Sequence, residues 1–162
     1  MGGGTILDLG VYAIQLACFV FNHEKPTSIK ALGHLNDEGM DMSMSASIAY
    51  TGGRTVTIFT HCQIDTPCDA YIFGTKGTIH LPLFWCPTVI HFPDGPREIK
   101  LPESKFQLNY PNTTGFSFEA AEVRNCIKQG RFHITFLSGD SRRLRYELYQ
   151  NLVTFETQNL RY

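Results

Sequence analysis

The sequence predicts an α+β fold, a mostly antiparallel open sheet of about six strands with a buried N-terminal helix and a second helix near its C-terminal end. Three observations carry this expectation. The run from Gly2 to Phe21 is apolar almost throughout, dense enough for a buried helix. After Pro26 the apolar residues change from helical spacing to strict alternation, the mark of half-buried strands. The alternating runs are then joined by short turns at Thr51-Gly52-Gly53-Arg54, Gly74-Thr75-Lys76-Gly77 and Pro93-Asp94-Gly95-Pro96, which leave no room for crossover helices.

With 162 residues, 43% of them hydrophobic and 18% charged, the chain suits one globular domain with a sizeable core. A net charge of −1 leaves no basic footprint for nucleic acid or an anionic membrane. The opening apolar run is interrupted by Asp8 and Gln15 and is too short to cross a bilayer. No basic segment precedes it, and no small-residue cleavage site follows. Cys18, Cys62, Cys68, Cys86 and Cys126 are odd in number and scattered, so they read as reduced thiols of a cytoplasmic protein rather than a disulfide frame. Neither cysteines nor histidines show a metal-ligand spacing, and no metal is expected.

In the first helix Thr5, Asp8, Tyr12 and Gln15 fall on one quadrant, a polar stripe among Ile6, Leu7, Leu9, Val11, Ala13, Ile14 and Leu16. Asp8 and Tyr12 stand one turn apart and can neighbour each other. Two readings are open. Asp8 caps or pairs with a backbone or arginine partner while Tyr12 packs; or the two form a proton-handling pair in a cleft, the phenol tuned by the carboxylate. Gly10 in mid-helix predicts a close approach by a neighbour. The helix should end near Asn22, with Pro26 preventing continuation.

Strands are expected at Ser28 to Leu35, Met42 to Tyr50 and Thr55 to Ile64. Met42, Met44, Ala46, Ile48 and Tyr50 share one face of the second, opposite Ser43, Ser45 and Ser47. Asp69 to Phe73 pairs with Thr78 to Leu81, and Thr88 to Phe92 with Glu98 to Leu101. Residues 102–115 read as loop, and Ser117 to Lys128 as a helix with Ser117 as N-cap and Gly130 just past its end. Beyond it, Ile134 to Leu137 fits a strand, and Leu144, Leu148, Leu152 and Phe155 fit a helical stripe. No Gly-rich strand-to-helix turn is present, since Gly2-Gly3-Gly4 follows no strand.

The stretch Gly2-Gly3-Gly4-Thr5-Ile6-Leu7-Asp8-Leu9-Gly10-Val11-Tyr12 resembles a signature of the glucose–fructose oxidoreductase/inositol dehydrogenase superfamily. Gly74-Thr75-Lys76-Gly77, Phe84-Trp85-Cys86-Pro87-Thr88 and Gly115-Phe116-Ser117-Phe118-Glu119-Ala120 extend the likeness toward its trans-1,2-dihydrobenzene-1,2-diol dehydrogenase and D-xylose dehydrogenase branch. Such enzymes join a Rossmann domain that binds NADP to a C-terminal α+β domain, and this chain is similar only to the latter. The resemblance therefore implies residues 1–130 as a substrate and dimerisation domain, and 131–162 as a tail that departs from the family pattern. Position by position it implies Tyr12 as the proton-transferring tyrosine and Asp8 as its polar partner. It implies Trp85 and Phe106 as walls of a pocket for a small diol or sugar.

Glu24-Lys25-Pro26 spells the family's catalytic lysine motif, but it follows the helix bearing Tyr12 instead of preceding it by a domain segment, so the match reads as chance. Two functions are open. One is the substrate-binding and dimerising half of an NADP-dependent dehydrogenase acting on CH-OH or CH-CH groups. Its nucleotide would sit on the missing domain, so the chain alone is expected to be inactive and to bind NADP weakly or not at all. The other is a non-catalytic truncated domain serving self-association or binding. Either way the uncharged face of Ser43, Ser45, Ser47, Thr55 and Thr57 is expected to pair two copies into a homodimer.

Overall fold

The computed structural model describes residues 3–98 and 100–131. Two compact units are distinguished, one built on Met1–Asp65 and the other on Thr66–Ile134. Apart from Arg131, the tail 131–162, with its expected strand at Ile134 to Leu137 and helical stripe from Leu144 to Phe155, lies outside the described residues.

The first unit opens with α1 (Thr5–Asp8) and α2 (Gly10–Val20), followed by β1 (Ser28–Leu35), β2 (Asp41–Ala49) and β3 (Thr55–His61). The three strands form an antiparallel sheet in chain order, with Ala31 opposite Ala46 and Ala46 opposite Ile58. Alternation buries Met44, Ala46, Ile48 and Tyr50 on one face of β2, as the spacing requires. Ile6, Ile14 and Cys18 from the helices close over that face to make the core. Each fully buried Ile or Met side chain contributes about 1.5–3 kcal/mol of transfer free energy.

The expected single helix is interrupted at Leu9, where Tyr12 N–H bonds to the Leu9 carbonyl instead of the Asp8 carbonyl. Gly10 is not a point of close approach, for a Cβ there would make only ordinary contacts, the nearest at 3.6 Å from the Thr5 carbonyl oxygen. At its far end α2 stops where expected. Asn22 turns left-handed at φ 49°, and His23 N–H reaches back 2.7 Å to the Cys18 carbonyl, a Schellman closure with asparagine in the glycine position.

The second unit holds β4 (Ala70–Gly74), β5 (Gly77–Leu81), β6 (Val89–Phe92), β7 (Gly95–Glu98) and α3 (Phe116–Lys128), its strands forming an antiparallel meander in chain order. The antiparallel α+β class is thus realised with seven described strands in two sheets of three and four. Strand β7 begins at Gly95, three residues before the expected Glu98, because Phe92 pairs directly with Gly95 across a turn of only Pro93 and Asp94. Nor does Ser117 cap α3; the helix starts one residue earlier, from a 3₁₀ turn at Thr113–Gly115, and has no side-chain cap. Its C-terminal end matches expectation: Gly130 is left-handed at φ 64°, and Arg131 N–H bonds to the Cys126 carbonyl at 2.9 Å.

Candidate functional site

The start of α1 is built from the inside outward. A four-residue helix cannot hold itself together, and its first N–H groups have no partner within it. Gly4, at its N-cap, has no side chain to offer. The partner comes instead from the first residue of β2. Asp41 is 1% exposed, and its Oδ2 accepts the Thr5 hydroxyl at 2.7 Å and the Ile6 N–H at 2.8 Å. Thr60 of β3 donates its hydroxyl to Thr5 Oγ1 at 2.8 Å, so α1, β2 and β3 are joined by one buried chain of hydrogen bonds. Asp41 Oδ1 is buried with no partner among the described residues, packed against Gly4, where an added Cβ would collide with it. Gly4 sits at φ 125°, and both facts demand glycine there.

Thr5 therefore leaves the predicted polar stripe: it turns inward to Asp41, while Asp8 and Tyr12 remain on the outside. Asp8 is the last residue of α1, its N–H bonded to the Gly4 carbonyl at 3.1 Å. Tyr12 lies in the first turn of α2 and is 38% exposed. No hydrogen bond joins the two side chains among the described residues, so each is accessible to a ligand. Asp8, Gly4, Leu9, Met40 and Asp41 border an open depression of about 420 Å³ that Tyr12 does not line.

Trp85 and Phe106 belong to the second unit. Trp85 is half-buried in the turn between β5 and β6. Phe106 is 81% exposed in a loop whose local turn is closed by Ser104 Oγ accepting the Phe106 N–H at 3.0 Å. No ring contact joins these two among the described residues. The motifs around Trp85 and Gly115 do meet: a Cβ on Gly115 would collide with Cys86 Sγ, and Asn112 Nδ2 donates to the Cys86 carbonyl at 2.8 Å. Burial raises the pKa of that Cys86 thiol.

Glu24 of the Glu-Lys-Pro stretch has a structural task. Its carboxylate accepts the Thr51 hydroxyl and an Arg54 Nη2 N–H, each at 2.6 Å, tying the loop after α2 to the β2–β3 turn. The Thr51 hydroxyl first, and the Arg54 guanidinium second, hold its pKa below the ordinary carboxylate range.

Two features escaped sequence reasoning. Asp41 was not singled out by its sequence; only its approach to Thr5 and Ile6 in the fold reveals its task. On the second sheet His80 Nε2 lies 2.7 Å from Asp69 Oδ2, with its ring stacked between Tyr71 at 4.3 Å and His91 at 5.4 Å. The three rings come from β4, β5 and β6, and only the register aligns them. Among the described residues no group of three or more His, Cys, Asp or Glu side chains is arranged to hold a metal. None of the described helices is long and apolar enough to cross a membrane.

Comparison with known proteins gives this geometry a family. Residues 1–80 match the model described as the GFO/IDH/MocA C-terminal domain. Over those residues the chain resembles that family of C-terminal domains. It is 39% identical over 131 residues to a trans-1,2-dihydrobenzene-1,2-diol dehydrogenase of Xenopus tropicalis, covering 80% of this chain and 40% of that one. Its fold is similar to that of a UDP-N-acetylglucosamine 3-dehydrogenase from Acidithiobacillus ferrooxidans, with a TM-score of 0.64, 14% identity, and coverage of 95% of this chain and 50% of the other. It is also similar to a 3-ketoreductase variant from Actinomadura kijaniata in complex with TDP-benzene and NADP, with a TM-score of 0.60, 21% identity, and coverage of 94% of this chain and 48% of that one. The chain thus spans about 40% of the length of the Xenopus relative and about half that of the structural neighbours.

Proposed function

We propose that residues 1–130 are the substrate-binding and dimerising half of an NADP-dependent dehydrogenase that oxidises trans-dihydrodiols or aldose sugars such as D-xylose. The observation that carries this reading is the placement of Tyr12 and Asp8, both exposed and four residues apart across the α1–α2 junction of a domain whose relatives are dehydrogenases. Tyr12 takes the proton of the substrate hydroxyl, and Asp8 orients or tunes it. Trp85 and Phe106, in the other unit, are proposed on the resemblance alone as apolar walls for a small diol or sugar. The described residues do not fit the nucleotide: Gly4 caps a four-residue α1 that no described strand precedes, α2 opens at Gly10 directly after α1, and α3, capped by Gly115, follows a 3₁₀ turn instead of a strand. NADP, the expected hydride acceptor, therefore belongs to a nucleotide-binding domain outside these residues. This chain alone should bind it weakly or not at all.

The homodimer is proposed through the outer face of the first sheet. There Leu32, Ser45 and Phe59 stand in register across the strands, with Leu32 53% and Phe59 54% exposed. Ser45→Arg, which places two like charges across such an isologous contact, should convert the dimer to monomer in sedimentation. A wild-type monomer at tens of micromolar would overturn the dimer. The catalytic reading is tested on the natural protein by following NADPH formation with trans-1,2-dihydrobenzene-1,2-diol and with D-xylose. Turnover of either supports it. A protein that binds neither nucleotide nor substrate would favour the non-catalytic self-association module instead.

A further inference from the structure

We infer that Asp41 is a positioning residue for the site, acting through Thr5 and Ile6 on the placement of Asp8; the inference rests on the catalytic reading of Asp8 and Tyr12. The two residues are carried on different supports. Tyr12 rides on α2, which is seated on the sheet by Ile14, Ala17 and Cys18. Asp8 ends α1, a single turn with Leu9 between it and α2. Among the described residues, the buried polar tie from that turn to the strands is the chain Thr60–Thr5–Asp41 together with the Ile6 N–H. The set of α1, and hence the approach of Asp8 to Tyr12, depends on that tie.

The chemistry of the tie fits positioning better than bulk stability. A buried carboxylate with one oxygen unpaired is a costly device for stability alone. A serine or aspartate at position 4 would cap α1 locally. The chain instead has Gly4 at the cap and draws its acceptor from a residue 35 positions away from Ile6, which fixes α1 to one place on β2. Aspartate is the right length, and the oxygen facing Gly4 leaves no room for a Cβ there. In Asp41→Asn the amide oxygen can still take both hydrogen bonds, leaving only an NH₂ against Gly4.

The test measures kcat and KM of the natural holoenzyme, normalised to folded protein, for wild type, Tyr12→Phe, Asp41→Ala, Asp41→Asn and Thr60→Val. The expectation for Asp41→Ala is a kcat lowered roughly 10- to 100-fold with KM nearly unchanged, the signature of a misplaced group. Asp41→Asn should restore most of the rate, and Thr60→Val should lower it less than Asp41→Ala. Hydrogen exchange at the Ile6 amide should quicken in step with the loss. Unchanged kcat per folded molecule in Asp41→Ala overturns the inference. If that variant does not fold, unchanged kcat in Thr60→Val overturns it. Undiminished turnover in Tyr12→Phe removes the catalytic reading and this inference together. Diminished turnover in Tyr12→Phe with undiminished turnover in Asp41→Ala removes this inference alone.

Discussion

In the unit built on Met1–Asp65, the side chains of Ile6, Ile14, Met44 and Ile48 are sealed from solvent, and a helix closes one face of the sheet. In the unit built on Thr66–Ile134, Leu81 and Cys126 are the only buried apolar residues among those described, while Tyr71, Phe73, Phe118 and Ile127 stand exposed. Strand length explains much of the difference. Strands of seven to nine residues in the first unit present several alternating side chains to α2, whereas the four- and five-residue strands of the second present two or three. The lesson concerns division of labour. Tyr12 and Asp8, the proposed proton-transferring pair, sit on a packed scaffold with buried supports. Trp85 and Phe106, proposed only for contact with a substrate, sit on a turn and a loop.

The comparison breaks most readily in the first core. Ile14→Ala removes a fully buried side chain and should cost about 2–5 kcal/mol, whereas Phe73→Ala at the exposed edge of the second sheet should cost within about 0.5 kcal/mol. Paired denaturant titrations check this, and similar losses in the two variants would erase the distinction. Gly4→Ala comes next: the left-handed backbone and the collision with Asp41 Oδ1 together should destabilise by about 2–4 kcal/mol. A neutral Gly4→Ala melt would show that the carboxylate can move aside.

The smallest effect is at Glu24. Its pKa is depressed in the folded protein, so its contribution to stability is present above the unfolded-state pKa and is lost as pH falls through the folded one. Acid titration of Glu24→Gln should therefore show a shallower loss of stability through and below the ordinary carboxylate range, its small deficit against wild type being present at neutral pH and closing as the pH falls. An unchanged acid limb would mean that the Thr51 and Arg54 contacts do not hold in solution.

How much of this was legible in the residues themselves follows from the range of the interactions. Alternation in Met42 to Tyr50 gave β2 its buried face, and Asn22 and Gly130 marked two helix ends, because those signals are local. The roles of Tyr12 and Asp8 came as expectations from a resemblance, and the fold adds that both are exposed on one short stretch. The clamp on α1 was hidden because Thr5 meets Asp41 and Thr60 only after three elements have assembled. The row of Tyr71, His80 and His91 was hidden likewise, its members aligned by register across β4, β5 and β6. The start of β7 was misplaced because Pro93-Asp94-Gly95-Pro96 looks like a four-residue hinge, whereas the turn uses only its first two residues.

The central claim is that Tyr12 moves the substrate proton, and Tyr12→Phe in the natural holoenzyme tests it most directly. The change removes one hydroxyl from a side chain that is 38% exposed and leaves the ring in place. Steady-state turnover should fall by ~10²–10⁴-fold while a thermal melt shows a stability change of no more than about 1 kcal/mol. A folded Tyr12→Phe protein with near-normal turnover would contradict the account.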